Sequence, residues 1–427
     1  MLYHSLGNPN IQDSLETVIL AGLAKDGGLF FPNQIPTFSQ HELTALVGLD
    51  LPSIASVVLK KWFAEDIEVK ELEVIGTSLT FPIPLVQIGD KYVLELFHGP
   101  TLAFKDVAAT ILARLISYFA RKRQTIIRVL VATSGDTGGA VAHGFANLEN
   151  VQVYVLFPKN KVSQLQEKQL TCVAENVWPI EVEGYFDDCQ AMVKQAFNDP
   201  DLQPLNLTSA NSINLGRLIP QIIYHLWVWT QLPESELQLV IPSGNFGNLA
   251  AAFLAMTMGV PISRFVAGVN ANDTVYRFMQ TGKYEPRPTV STLSNAMDIS
   301  NPSNFSRILK IVNYDRSNLQ QYLQVFRVTD QETTETILEV YNKYNYLLCP
   351  HTAVAWKAAN LSEHMGLTQV VYATASPYKF AKEISAAAGL VIDDNQLIQQ
   401  WSTKSSKKKV SIAANYSELK QVLQASA

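Results

Sequence analysis

The chain has 427 residues, 47% of them hydrophobic, more than one ordinary core uses, so two or three domains are expected. Charged residues make up 17% and the net charge is −5. This excludes a disordered chain and gives no electrostatic reason to expect nucleic acid or an anionic membrane as a partner. Three cysteines (Cys172, Cys189, Cys349) without a CxxC pair, and seven histidines without HExxH spacing, predict no disulfide framework and no metal site. They fit a reducing, cytoplasmic compartment.

Residues 1–20 lack the basic start and apolar core of a signal peptide. Residues 14–23 carry a helical apolar pattern, Gly27-Gly28 breaks it, and Phe31-Pro32 opens an extended piece. Residues 43–63 again read as helical, interrupted by Pro52. Residues 1–90 are therefore expected to form a small, mainly helical N-terminal region, with 91–427 as the main body. From about residue 92 the pattern becomes strand–loop–helix. Strands are predicted at 126–132, 153–157, 238–241, 265–269 and 370–373, and helices at 164–170 and 249–256. Such alternation implies parallel sheets covered on both faces, an α/β fold. Ligands of such sheets sit beyond the carboxyl ends of strands, where the glycine-rich runs fall. No apolar run reaches the roughly 18 residues of a membrane span. The basic run from Lys404 to Lys409 reads as a solvated loop, with a local phosphate contact as the alternative.

Four pieces carry chemistry. Ser243-Gly-Asn-Phe-Gly-Asn248 follows a strand and precedes a helix. Its glycines allow close backbone approach and the helix offers free N–H groups, a phosphate cradle without the lysine of a nucleotide P-loop. A tight turn with no ligand is the other reading. Thr133-Ser-Gly-Asp-Thr-Gly138 offers hydroxyls and N–H groups to a carboxylate or phosphate, and Asp136 is a helix N-cap on the alternative reading. Lys105, after Ala103 and Phe104 and before an apolar run, is a candidate desolvated amine nucleophile or a plain surface lysine. In Asn211-Ser-Ile-Asn-Leu-Gly-Arg217, Ser212 and Arg217 can converge on an anion; capping and an ion pair are the alternatives. Two anion cradles, an amine and a phosphate fork in one chain suit a pyridoxal-phosphate (PLP) enzyme with a phosphorylated amino-acid substrate.

Longer strings then carry a resemblance. They are Gly27-Gly-Leu-Phe-Phe-Pro32, Glu95-Leu-Phe-His-Gly-Pro-Thr-Leu-Ala-Phe-Lys-Asp106, Ser294-Asn-Ala-Met-Asp-Ile299, Pro302-Ser-Asn-Phe305 and His351-Thr-Ala-Val354. Together with the four pieces above, they resemble the threonine synthases, within the tryptophan-synthase-β-like (fold type II) PLP enzymes, nearly end to end. The resemblance implies two α/β lobes, and the separation of the anion loops leads us to expect that they close when substrate binds. It implies that Lys105 is the Schiff-base lysine and that the backbone N–H groups of Gly244, Asn245, Phe246 and Gly247, within the loop ending at Asn248, hold the cofactor phosphate. Thr133, Ser134 and Thr137 are implied at the substrate carboxylate, with Asp136 near the cofactor's phenolic oxygen. Ser212, Arg217 and Asn245 are implied at the substrate phosphate, and Thr374 at the pyridine nitrogen. The implied reaction converts O-phospho-L-homoserine and water to L-threonine and phosphate in a monomer or homodimer. A lyase releasing 2-oxobutyrate and a non-catalytic metabolite-binding protein are the competing readings. Two positions depart from the family pattern: Ser376 stands where histidine is frequent, and Cys349 where an acid is frequent.

Overall fold

The computed structural model describes the chain except residues 134, 364–365, 394–396, 398, 400, 402–408 and 426–427. The chain forms two compact units, one of Met1, Phe31–Phe104 and Leu218–Asp394, the other of Leu2–Phe30, Lys105–Arg217 and Asn395–Ala427. Residues 2–30 group with one unit and residues 31–90 with the other.

The first unit is built on a six-stranded sheet in the order Leu323–Arg327, Ile262–Val269, Leu237–Pro242, Thr368–Ala373, Lys91–Glu95, Leu85–Ile88. All neighbours are parallel except the last pair. Every residue of the central strand Leu237–Pro242 is buried, as expected of a strand covered on both faces. Helix Pro350–Leu361 and the β-branched residues Val93, Val240, Val266 and Val371 share one apolar core. The helical stretch expected at 43–63 is two helices, Gln40–Thr44 and Leu51–Phe63. Pro52 starts the second rather than interrupting it. It sits in the first turn, where its missing N–H costs nothing, and Asp50 caps Ser53 N at 2.9 Å.

Strands Leu237–Pro242, Thr368–Ala373 and Lys91–Glu95 are neighbours and parallel, so their carboxyl ends lie along one edge. From that edge leave the glycine-rich loop, Thr374 and the segment leading to Lys105. The last two are zipped together. Leu96 N donates to Ala373 O (3.0 Å), Phe104 N to Thr374 O (2.9 Å), Ser376 N to Leu102 O (3.0 Å) and the buried Lys379 Nζ to Thr101 O (2.7 Å).

The second unit has a wholly parallel five-stranded sheet, ordered Val410–Ala413, Val177–Glu183, Val151–Pro158, Ile127–Ala132, Leu207–Thr208. Helix Lys105–Arg123 ends in Arg121, Lys122 and Arg123, cations that suit the negative end of its dipole. Helix Asp136–Gly144 crosses it at Gly144, where an added Cβ would stand 2.8 Å from the Ala109 carbonyl carbon. Gly144→Ala is therefore expected to destabilise the protein by about 1–3 kcal/mol through overpacking, read as a lower denaturation midpoint; an unchanged midpoint would contradict this close approach. Lys409, the end of the basic run, binds Glu167 (2.8 Å) and Glu181 (2.7 Å) and so serves the fold; residues 404–408 lie outside the described residues. No described helix is long and apolar enough to cross a membrane.

Candidate active site

Lys105 is the first residue of its helix, with its side chain 15% exposed and Nζ 3.9 Å from Asp136 Oδ2. Asp136 is buried and opens the helix Asp136–Gly144, but it is not the cap. The N-cap is Gly135, at φ +150°, a conformation that excludes an ordinary side chain. The Asp136 carboxylate instead accepts from Gln166 Nε2 at 3.1 Å and faces Lys105. The Thr133 hydroxyl accepts from Gly135 N and Gly138 N, both at 2.9 Å, and donates to Gly135 O at 3.0 Å. Its hydrogen-bonding capacity is spent on the turn, so Thr133 shapes this loop with its side chain. Thr137 is partly exposed on the first helical turn; Ser134 lies outside the described residues.

In the same unit Ser212 is partly exposed and Arg217 buried, with Nη1 donating to Ala210 O at 2.6 Å. Asn214, to which the sequence reading gave no role, organises this segment. Its Nδ2 donates to Ile19 O (2.9 Å) and Ser209 O (3.1 Å), and its Oδ1 accepts from Gly216 N (2.9 Å). Helix Leu15–Ala21 thus supports the candidate clamp directly.

In the other unit Phe246 adopts φ +60° and is the N-cap of the eleven-residue helix Gly247–Thr257. A phenylalanine side chain offers no acceptor to the first-turn N–H groups, so a bound anion suits them and the positive end of the dipole. The Asn248 side chain is committed to the turn. Its Oδ1 accepts from Ser243 Oγ (2.8 Å) and Leu249 N (2.9 Å), and its Nδ2 donates to Pro242 O (2.9 Å). Asn245 Oδ1 accepts from Ser303 N (2.7 Å) and Ser303 Oγ (2.9 Å). Thr374 is buried at the neighbouring strand end.

His225 is a further residue the sequence reading missed, since a lone histidine in an apolar helix carries no motif. It is fully buried, with Nε2 3.0 Å from Asn248 O and Nδ1 2.9 Å from the Tyr372 hydroxyl. A carbonyl only accepts, so Nε2 carries the proton and Nδ1 accepts from Tyr372. Burial pushes the imidazole pKa down to about 3, so it stays neutral. It ties the glycine-rich helix to the strand that delivers Thr374.

The departure at Cys349 is a change of helix cap. Its sulfur accepts from Thr352 N at 3.4 Å and caps helix Pro350–Leu361, while burial pushes the thiol pKa up. His351 Nε2 accepts from Ala296 N at 3.1 Å, holding the segment that contains Asp298. Burial raises the Asp298 pKa to about 6, against hydrogen bonds from Thr292 and Asn270 that lower it. With the folded pKa above the ordinary value, the stabilising contribution is full below about pH 4 and lost as pH rises through about 6. Between pH 5 and pH 7.5, Asp298→Asn is expected to gain about 1 kcal/mol relative to the unsubstituted protein. Denaturation midpoints at the two pH values check this, and a constant difference would contradict it.

The phosphate-ready helix start and the hydroxyl at the next strand end, in one unit, and the mostly buried lysine beside Asp136, in the other, are features that pyridoxal phosphate requires of a protein, and each fits it. Fold and residues together define the class, a PLP-dependent enzyme of fold type II. Residues 84–373 match the family model "Pyridoxal-phosphate dependent enzyme", and residues 3–78 match "Threonine synthase N terminus". The threonine synthase of Escherichia coli (strain K12) is 39% identical over 92% of this chain and 92% of its own length. That of Saccharomyces cerevisiae is 35% identical over 88% of this chain and 86% of its own. The crystal structure of PLP-bound threonine synthase from Brucella melitensis superposes with a TM-score of 0.95 at 33% identity, covering 100% of this chain and 99% of that one. The chain belongs to the threonine synthase family, and it is a PLP-dependent lyase.

Proposed function

We propose that the chain converts O-phospho-L-homoserine and water to L-threonine and phosphate, with the residue roles that follow. The observation that carries these roles is the Lys105–Asp136 pair, Nζ to Oδ2 3.9 Å, at the starts of two helices. The backbone N–H groups from Gly244 to Gly247 would hold the cofactor phosphate, Lys105 would anchor the cofactor and Thr374 would serve as the hydroxyl partner of its pyridine nitrogen. When bound, pyridoxal phosphate supplies the electron sink for negative charge at the substrate α-carbon. Lys105 Nζ, released as a neutral amine, takes the α-proton. Asp136 then stabilises the ammonium so formed, and its carboxylate is kept in place by Gln166 Nε2. The first turn of helix Asp136–Gly144, with Ser134 and Thr137, orients the substrate carboxylate. Ser212, Arg217 and Asn245 bind the phosphate that leaves from the γ-carbon after proton loss at the β-carbon. The γ-carbon takes up a proton and ends as a methyl group, water adds at the β-carbon and gives up a proton, Lys105 returns a proton to the α-carbon, and the remaining proton leaves on the phosphate. A reducing, cytoplasmic setting belongs to this reading, supported by three free, buried cysteines.

Incubating the purified holoenzyme with O-phospho-L-homoserine and identifying the organic product tests the proposal. Threonine with equimolar phosphate is expected; 2-oxobutyrate as the main product, or no turnover, overturns it.

A further inference from the structure

We propose that the segment from Thr292 to Phe305 is a rigid backing for the phosphate-binding loop and that Asp298 is its positioning residue. This rests on the reading of Ser243–Asn248 as the loop that holds the cofactor phosphate. Consecutive residues of that loop each lean on this segment. A Cβ on Gly244 would stand 2.6 Å from Met297 Cα, so the two backbones are in direct contact. Asn245 Oδ1 takes two hydrogen bonds from Ser303, and the Phe246 ring meets Phe305 edge to face at 5.6 Å. A Cβ on Gly247 would meet Asn304 Nδ2 at 3.4 Å.

The Ser303 contact sets chemistry as well as shape. A backbone N–H only donates, so the Asn245 atom facing Ser303 is its oxygen. The planar amide therefore turns its two N–H donors the other way. Ser303 makes Asn245 a donor toward its ligand, the polarity a phosphate needs.

Asp298, next to Met297, holds the segment to the strand side. Its Oδ1 accepts from Thr292 Oγ1 (2.7 Å), Asn270 Nδ2 (2.9 Å) and Asn272 Nδ2 (3.1 Å), and its Oδ2 accepts from Thr292 N (3.0 Å). Asn270 and Asn272 follow the end of strand Ile262–Val269, whose Gly268 O accepts from Ser243 N at 3.0 Å. The loop is thus held from both ends by one hydrogen-bonded frame. Four donors on one carboxylate form a post that alanine removes entirely.

The test compares pyridoxal phosphate with pyridoxal, which lacks the phosphate, by fluorescence titration of the cofactor-free full chain. Asp298→Ala is expected to weaken pyridoxal phosphate binding about tenfold, the size of one lost hydrogen bond to a charged group, and to leave pyridoxal binding unchanged. Equal weakening of both, or of neither, overturns the proposal. Ser303→Ala gives a milder loss in the same direction and serves if Asp298→Ala does not fold; loss of pyridoxal affinity alongside overturns the proposal equally. Gly244→Ala separates the two levels. If it leaves the preference for the phosphorylated form intact, the reading of the loop fails and the backing role falls with it. If it abolishes that preference while Asp298→Ala and Ser303→Ala preserve it, only the backing role is overturned.

Discussion

Lys105→Ala is expected to reduce phosphate release from O-phospho-L-homoserine by at least about 10³-fold. Removal of a positioned general base alone costs about 10²–10⁴-fold, and this lysine also anchors the cofactor. The side chain is mostly buried beside Asp136, which shields the amine from bulk water and gives its proton a counter-charge at 3.9 Å. Lys105→Arg keeps the charge but not the chemistry, because a guanidinium does not release its proton near neutral pH. It is therefore expected to be as inactive as the alanine variant. Borohydride treatment followed by mass measurement gives a second readout: the unsubstituted protein retains the cofactor covalently and neither variant does. Turnover by Lys105→Arg within tenfold of the unsubstituted protein would remove Lys105 from the base role.

Much of the fold was legible because the strands that matter are mostly apolar and are followed by turn residues. Leu237–Pro242 and Ile127–Ala132 are buried along their whole length, so their sequences read as apolar runs, each with one polar residue (Gln238, Arg128), closed by turn residues. Strand Val177–Glu183 was missed because Pro179 argues against a central strand. The proline is accommodated because pairing with Val410–Ala413 begins only at Ile180. Periodicity does not assign residues 2–30 to a unit. Their place depends on contacts such as Asn214 to Ile19 O, 195 residues apart in the chain.

Within the candidate site, residue types were easier to read than the use of each atom. Thr133 and Asn248 fit a ligand-binding pattern, yet their side chains bond to their own turns. A short polar side chain after a strand serves a tight turn as well as a ligand, and the sequence carries no sign of which. Asp136 was read as either cap or partner, and Gly135 at φ +150° resolves this by taking the cap position. His225, Ser303 and Asp298 act through other residues: His225 lies in no motif, and the strings that contain Asp298 and Ser303 do not say what those side chains bind.

Arg217→Ala is expected to lower kcat/KM for O-phospho-L-homoserine by about 10²–10³-fold, as one or two charge-assisted hydrogen bonds of about 1.5–3 kcal/mol each are lost. The guanidinium is suited to this because it is already ordered. It is buried, Nη1 is tied to Ala210 O, and Asn214 fixes the turn that carries it, so little side-chain entropy remains to be lost on binding. Burial also means that truncation disturbs the fold by leaving Ala210 O without this donor. A loss of general integrity therefore has to be separated from a loss of phosphate recognition. Binding of homoserine, which lacks the phosphate, makes that separation: its affinity for the holoenzyme should be unchanged in Arg217→Ala. Arg217→Lys keeps the charge but loses the planar fork, and is expected to recover only part of the affinity. If Arg217→Ala weakens homoserine and its phosphate ester equally, Arg217 supports the turn and the substrate phosphate is bound by other groups.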